Sequence, residues 1–288
     1  FALSDFIDVD GKYGPINNLV PFKDNIIFFQ DNAFGRLSVY PSSIVQDQTG
    51  IDLQMAKGVK LEDWNYISNE IGAFHQWGMV ASDSNIFFYD TKRKKIYSYN
   101  GQVANPVSDI KGLQSFLANE LTGSINIKDN PLIGGGICTT YDYRFNEALF
   151  TFKDVIPLNE NGTILNNYNI RTSLNDISKN LLDLLVAGDV INVTLPNGLI
   201  FDLTIEDFMP DNRIIINFPS PFHVPRTGGT VKINSRRKNN TIALNEQIGA
   251  FTSFYDFYPS LYINNKRILL SPEPLNEKNI YIHNYFDY

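Results

Sequence analysis

Apolar residues in this chain come mostly in short runs, each closed by a polar turn and followed by a second run. "NIIFFQD" (25–31) passes through "NAFG" into "RLSVY" (36–40), and "NIFFYD" (85–90) passes through "TKRKK" into "IYSYNG" (96–101). "GICTTYDY" (136–143) and "ALFTF" (148–152) flank "RFNE", while "TIAL" (241–244) and "AFTSFYDF" (250–257) flank "NEQIG". "SLYI" (260–263) and "KRILL" (266–270) flank "NN". Asn, Asp and Gly at such turns supply left-handed backbone and local hydrogen bonds, so each pair predicts a β-hairpin. Hairpins at this density predict a sandwich, a barrel or a propeller. The phrases resemble one another, which favours a β-propeller, a fold that repeats one four-stranded sheet around an axis. "IGAFHQWGMV" (71–80) and "IGAFTSFYDF" (248–257) are expected to be equivalent corners of different blades. Each leaves a polar Asn-Glu turn by a Gly-Ala step and enters an aromatic strand.

Two segments break the pattern. In "PVSDIKGLQSFLANELTG" (106–123), Ile110, Leu113, Phe116, Leu117 and Leu121 recur at helical spacing. The spacing predicts one short amphipathic helix with Ser108 as N-cap and Gly123 as its stop; Gly112 is expected to delay its start. From "DVIPLNENGTILNNYN" (154–169) to "SRRKNN" (235–240) the aromatic hairpins cease. A second helix is predicted over 173–188, with Ser173 and Asp176 as a capping box, an apolar stripe of Leu174, Ile177, Leu181, Leu184 and Leu185, and Gly188 at its end. Strict alternation follows: Ile191, Val193 and Leu195 share a face, then Leu199, Phe201, Leu203 and Ile205, then Ile214, Ile216 and Phe218, then Val231 and Ile233. The segment therefore predicts a small β-barrel or sandwich carrying one helix. It is bracketed by "ALFTFK" and "TIALNE", which read as neighbouring strands of one hairpin. The expected organisation is a propeller over 1–153 and 241–288, with 154–240 inserted in a loop, where added length costs little closure entropy.

Composition narrows this picture. Aromatics make up 13% of 288 residues, a share that pleated surfaces absorb well. Cys138 is the one cysteine, so no internal disulfide exists, as expected of a protein made in a reducing compartment. No apolar run approaches membrane-spanning length, so membrane insertion is not expected, and no signal peptide is visible. A net charge of −7 disfavours adhesion to nucleic acid. The chain opens at Phe1 and ends soon after "NIYIHN", which reads as part of a longer polypeptide or a processed product, so a closed architecture is expected to be incomplete here.

Catalytic constellations are scarce. His75, His223 and His283 lie in unrelated segments without metal-ligand spacing and are expected to pack or face solvent. Cys138 sits in an apolar run, as a buried inert thiol does. "GGG" (134–136) lacks the lysine and helix of a phosphate loop and reads as a turn. Asp142 and Glu147 flank one turn and could form a glycosidase-like carboxyl pair, though acidic residues belong in turns anyway and Arg144 stands by to pair with them. The basic runs "KRKK" (92–95) and "RRK" (236–238) read as solvated faces. "FTSFYDFYPSLYI" (251–263) reads as core. No catalytic, cofactor-binding or metal site is assigned.

Three stretches carry a resemblance: Gln76-Trp77 with the strand Phe87-Phe88-Tyr89-Asp90; Ser108-Asp109 with Lys111-Gly112; and "TYDYRFNEALFTF" (140–152) leading to "NEQIGAFTSFYDFYPSLYI" (245–263). Over about 1–153 and 241–288 the chain resembles the tail nozzle or muzzle (packaged-DNA stabilisation) proteins of short-tailed bacteriophages, those of crAss-like phages in particular. The resemblance does not extend to the insert. The resemblance implies a propeller, a non-enzymatic virion protein without cofactors, and a ring of about six copies joined to other tail and portal-ring proteins. It implies assembly in the bacterial cytoplasm and a channel that passes and retains genomic DNA until ejection. An acidic wall suits such a channel, because it repels a polyanion weakly within a screening length of about 8–10 Å. The alternative is a carbohydrate-binding or carbohydrate-active propeller, with Trp64, Trp77 or the 251–263 aromatics as sugar platforms and Asp142 with Glu147 as the acid pair.

Overall fold

Strands form where the apolar runs lie. The computed structural model describes residues 8–40, 44–46, 52–54, 60–121, 129–131, 135–168, 171–175, 177–178, 182, 185, 187–209, 213–220, 227–272 and 279–283. A 3-10 turn precedes β1 (Ile16–Phe22), β2 (Asn25–Gln30), β3 (Phe34–Tyr40), β4 (Ile44–Gln46), β5 (Asp52–Gln54) and β6 (Lys60–Ser68). Next come β7 (Met79–Ala81), β8 (Ile86–Asp90), β9 (Lys95–Tyr99), β10 (Ala104–Pro106), α1 (Val107–Ile110) and α2 (Gln114–Glu120). Then follow β11 (Gly136–Asp142), β12 (Glu147–Tyr168), β13 (Arg171–Asn175), β14 (Val190–Thr194), β15 (Ile200–Met209) and β16 (Arg213–Asn217). The described elements end with β17 (Thr230–Asn245), β18 (Ala250–Tyr255), β19 (Ile263–Asn264), β20 (Leu269–Pro272) and β21 (Ile280–His283). The protein is mainly β, and each of the five predicted hairpins is present.

The chain divides into two compact units, residues 1–152 with 240–288, and residues 153–239. In the first unit the sheets are ordered β1-β2-β3-β6, β10-β9-β8-β7, β11-β12-β17-β18 and β19-β20-β21, and β4 pairs with β5. Cores lie between consecutive sheets. Phe29 and Phe34 of the first sheet meet Phe88 of the second at ring distances of 4.9 and 5.4 Å. Tyr89 turns to the other side and meets Phe152 edge-on at 5.1 Å. Strand β8 is therefore buried along its whole length, because successive side chains serve opposite faces. Leu149, Ala243 and Leu269 fill the next layer with Tyr255, Phe257 and Tyr262. The aromatic excess seen in the sequence is thus spent between sheets.

The second unit contains a six-stranded closed barrel, β12-β13-β16-β15-β14-β17, completed by pairing of β12 with β17. Its core is the alternating aliphatic set: Ile191, Val193, Leu203, Ile205, Ile214, Ile216, Val231 and Ile233 are all buried. Leu199, placed on that face by periodicity, is 47% exposed, because it belongs to the turn that reverses the chain before β15.

Three local expectations are corrected. The 106–123 helix is two short helices, because Gly112 takes φ +81° and breaks it between Ile110 and Gln114. Leu113, Leu117 and Leu121 are buried as the stripe requires, but Ile110 lies on the broken-off piece and is 63% exposed. Ser108 is not the N-cap, a place taken by Pro106; its buried hydroxyl accepts from the Ile96 backbone N–H instead. Gly123 lies outside the described residues. Second, the start of the 173–188 helix is strand. Ser173 and Leu174 pair with Ile215 and Ile214 on one side and with β12 on the other, so tertiary pairing overrides the local period. Asp176, Leu181 and Leu184 lie outside the described residues, while Ile177 and Leu185 are buried in the barrel core. Third, the two "IGAF" stretches are not equivalent. Gly249 closes a hairpin turn at φ +66° and leads directly into β18. Gly72 is pressed against the backbone of Gln30, Asn32 and Ala33, in a segment that reaches no strand until Met79.

Candidate functional site

Turns of the first unit are joined by polar side chains. Glu246, in the β17–β18 turn, accepts hydrogen bonds from Ser82 Oγ (2.8 Å) and Asn85 Nδ2 (2.6 Å) of the β7–β8 turn, and from the Tyr141 hydroxyl. Its backbone N–H donates to the Asn146 carbonyl in the β11–β12 turn at 2.8 Å. Burial, and then the Glu246 carboxylate, push the Tyr141 phenol far above its ordinary range, so it stays a donor at any physiological pH. Lys266, in the β19–β20 turn, reaches Asp83 at 3.1 Å, and Lys23 donates to the Asn100 carbonyl at 2.7 Å. Turns of neighbouring sheets are therefore tied to one another at one end of the unit.

The basic run "KRKK" is only partly the solvated face that charge patterning predicts: Lys92 is exposed, and Arg93, Lys94 and Lys95 are half-buried. Lys92 donates to Asn32 Oδ1, and Arg93 pairs with Asp90 and with the Glu70 carbonyl. Lys94 caps the end of α2 through the Ala118 and Leu121 carbonyls, and Lys95 lies 2.5 Å from Asp109. Asp90 is almost fully buried; desolvation raises its pKa despite Arg93 and the backbone N–H groups it accepts from. In "RRK" the two arginines are paired: Arg236 Nε lies 3.0 Å from Asp189 and Arg237 lies 2.8 Å from Asp202.

The carboxyl pair is also structurally committed. Asp142 accepts from the backbone N–H groups of Arg144 (2.8 Å) and Phe145 (3.4 Å), while Glu147 accepts from Thr252 and Tyr255, each at 2.9 Å. Burial first, then Glu147, raise Tyr255 to about 12. Cys138 is buried, with its Sγ 3.2 Å from the Pro259 carbonyl. His283 packs on Phe257 and contacts Ser271 Oγ at 2.6 Å. His223 and Gly134 lie outside the described residues. Among the aromatics of 251–263, Tyr255, Phe257 and Tyr262 pack inward, whereas Phe254 is 58% exposed and sits edge-on to Phe116.

A cleft of about 770 Å³ opens in the first unit, with Trp77 at its wall beside residues of β11 and of the β19–β20 turn. Trp77 follows His75, whose Nδ1 lies 3.0 Å from Asp129 Oδ1, and Gln76, whose N–H donates to Asp129 Oδ2. Sequence reasoning gave no hint of Asp129 or Glu246, because their partners lie 53 to 164 residues away along the chain.

Taken together these are the features of a mainly β protein whose polar side chains serve to lock turns and whose second unit closes as a barrel. Residues 1–168 match the family model described as Crassvirus muzzle protein, and the chain belongs to that family. It is also 26% identical over 153 residues to the "Muzzle protein" of Bacteroides phage crAss001. That match covers 53% of this chain and 11% of the relative, so the chain spans about a tenth of the length of the relative it matches. Family membership supports a structural role in a phage virion.

Proposed function

We propose that the chain is a structural, non-enzymatic component of a phage tail nozzle. In this reading it forms a ring around the DNA exit, acts with other tail and portal-ring proteins, and retains the genome until ejection. The family match over residues 1–168 carries the reading. The face-to-face sheets of the first unit are read as blades of a propeller, here only part of one. The hydrogen bonds centred on Glu246 support this, since blades around one axis bring their turns together at one end. Residues 153–239 are read as a domain inserted into the β12–β17 hairpin, where it would pack against neighbouring copies or cargo.

The charge of −7 fits a bore that passes DNA without gripping it. Two measurements test the assignment. Electron microscopy of the complete muzzle polypeptide carrying this segment should show closed rings, and a strictly monomeric particle would overturn the ring. Antibody raised to this segment should label the tail end of intact virions; labelling confined to infected-cell lysate would overturn the virion role.

A further inference from the structure

We propose that the Trp77 cleft binds a short neutral oligosaccharide. Nothing in the structural role of a nozzle requires such a site, and the inference stands on the cleft alone. Tryptophan carries a large apolar surface, yet Trp77 is 51% exposed and stacks on no other ring among the described residues. Trp64 shows the contrast: it packs edge-on against Tyr66 at 5.0 Å.

Trp77 is also held in place. Asp129 grips the preceding turn twice, through fully buried His75 and through the Gln76 N–H, both at 3.0 Å. The Gly78 N–H donates to the His75 carbonyl at 3.0 Å, and Thr139 Oγ1 donates to the Trp77 carbonyl at 3.0 Å. An indole presented on so fixed a turn is preorganised, and little freedom is lost when a ligand covers it.

The chemistry of the cleft selects the ligand class. Its volume, about 770 Å³, falls in the ordinary range of small-molecule sites. Residues bearing amides and hydroxyls line the same cleft, among them Gln76, Asn130 and Asn265. The two charged side chains there each have a partner: Asp129 meets the buried ring of His75, and Lys266 pairs with Asp83 at the surface. An anionic ligand would have to compete with Asp83 for Lys266 and would meet the Asp129 carboxylate, and a purely apolar one would strand the amides. A flat apolar face edged by hydroxyls, the chemistry of a pyranose, satisfies both indole and amides.

The test uses the whole chain with Trp64→Phe, so that Trp77 alone reports by fluorescence. The probes are maltotriose, cellotriose, xylotriose, mannotriose and chitotriose, each up to about 10 mM, beyond the range of weak specific binding. At least one should give a saturable shift. Trp77→Ala, followed by calorimetry, should weaken that ligand roughly tenfold or more, the size of one lost stacking contact. Gln76→Ala, at an exposed position, should weaken it severalfold with an unchanged melting temperature. Silence from all five sugars, binding that survives Trp77→Ala, or a response to oligothymidylate alone would each overturn the proposal.

Discussion

His283 shows how a single half-buried ring contributes to a pH response. Desolvation lowers its pKa below the ordinary 6.5, against the smaller pull of Asp142. The unfolded chain therefore binds the extra proton first. The stability that depends on a neutral ring is whole above 6.5 and is lost as pH falls through the lower folded value. Denaturation of the chain between pH 7 and 5 should show this loss, and His283→Gln should flatten part of it; identical profiles would remove His283 as the cause. Glu246 shows the same economy of position. One carboxylate satisfies donors from Ser82, Asn85 and Tyr141, and its surroundings rather than its own neighbours in sequence give it that role.

At the scale of elements, α2 is a helix that its own sequence could hardly sustain. Seven residues are too few to be stable in isolation, and its N-terminus has no side-chain cap. It persists because Leu117 is buried and because Lys94 reaches over from the β8–β9 turn to its final carbonyls. Lys94 adopts φ +53°, a left-handed conformation that Asn also tolerates. Lys94→Asn should therefore isolate loss of the clamp, lowering stability by about 1 kcal/mol in chemical denaturation. The β-hairpins needed no such help to be read. Their turns announce themselves by Asn, Asp and Gly, and a period of two is the same whether a strand is at an edge or in the middle.

For the whole molecule, the two units raise a question of independence. Thr151 and Thr241 hydroxyls lie 2.9 Å apart, so the first unit's strands are already side by side where residues 153–239 begin and end. Replacing those residues with a short Gly-rich turn should leave the first unit folded, with its β circular dichroism and one cooperative melt retained. Collapse into a non-cooperative species would argue against insertion into a hairpin.

The alternation of Ile191 through Ile233 and the aromatic hairpins were readable from order along the chain, because local period and turn chemistry act between near neighbours. The family was legible for the same reason, in contiguous phrases such as those around Trp77 and Tyr141. What tertiary structure alone decided involves distance in sequence. It turned Ser173 and Leu174 from helix to strand by offering them partners on both sides, and it separated the two "IGAF" stretches by crowding Gly72 while freeing Gly249. It gave each residue of a basic run that reads as a solvent face its own partner, with Lys92 still exposed. Charge and hydrogen-bond partners 14 to 60 residues away cannot be read from spacing, because only the folded chain sets which groups meet.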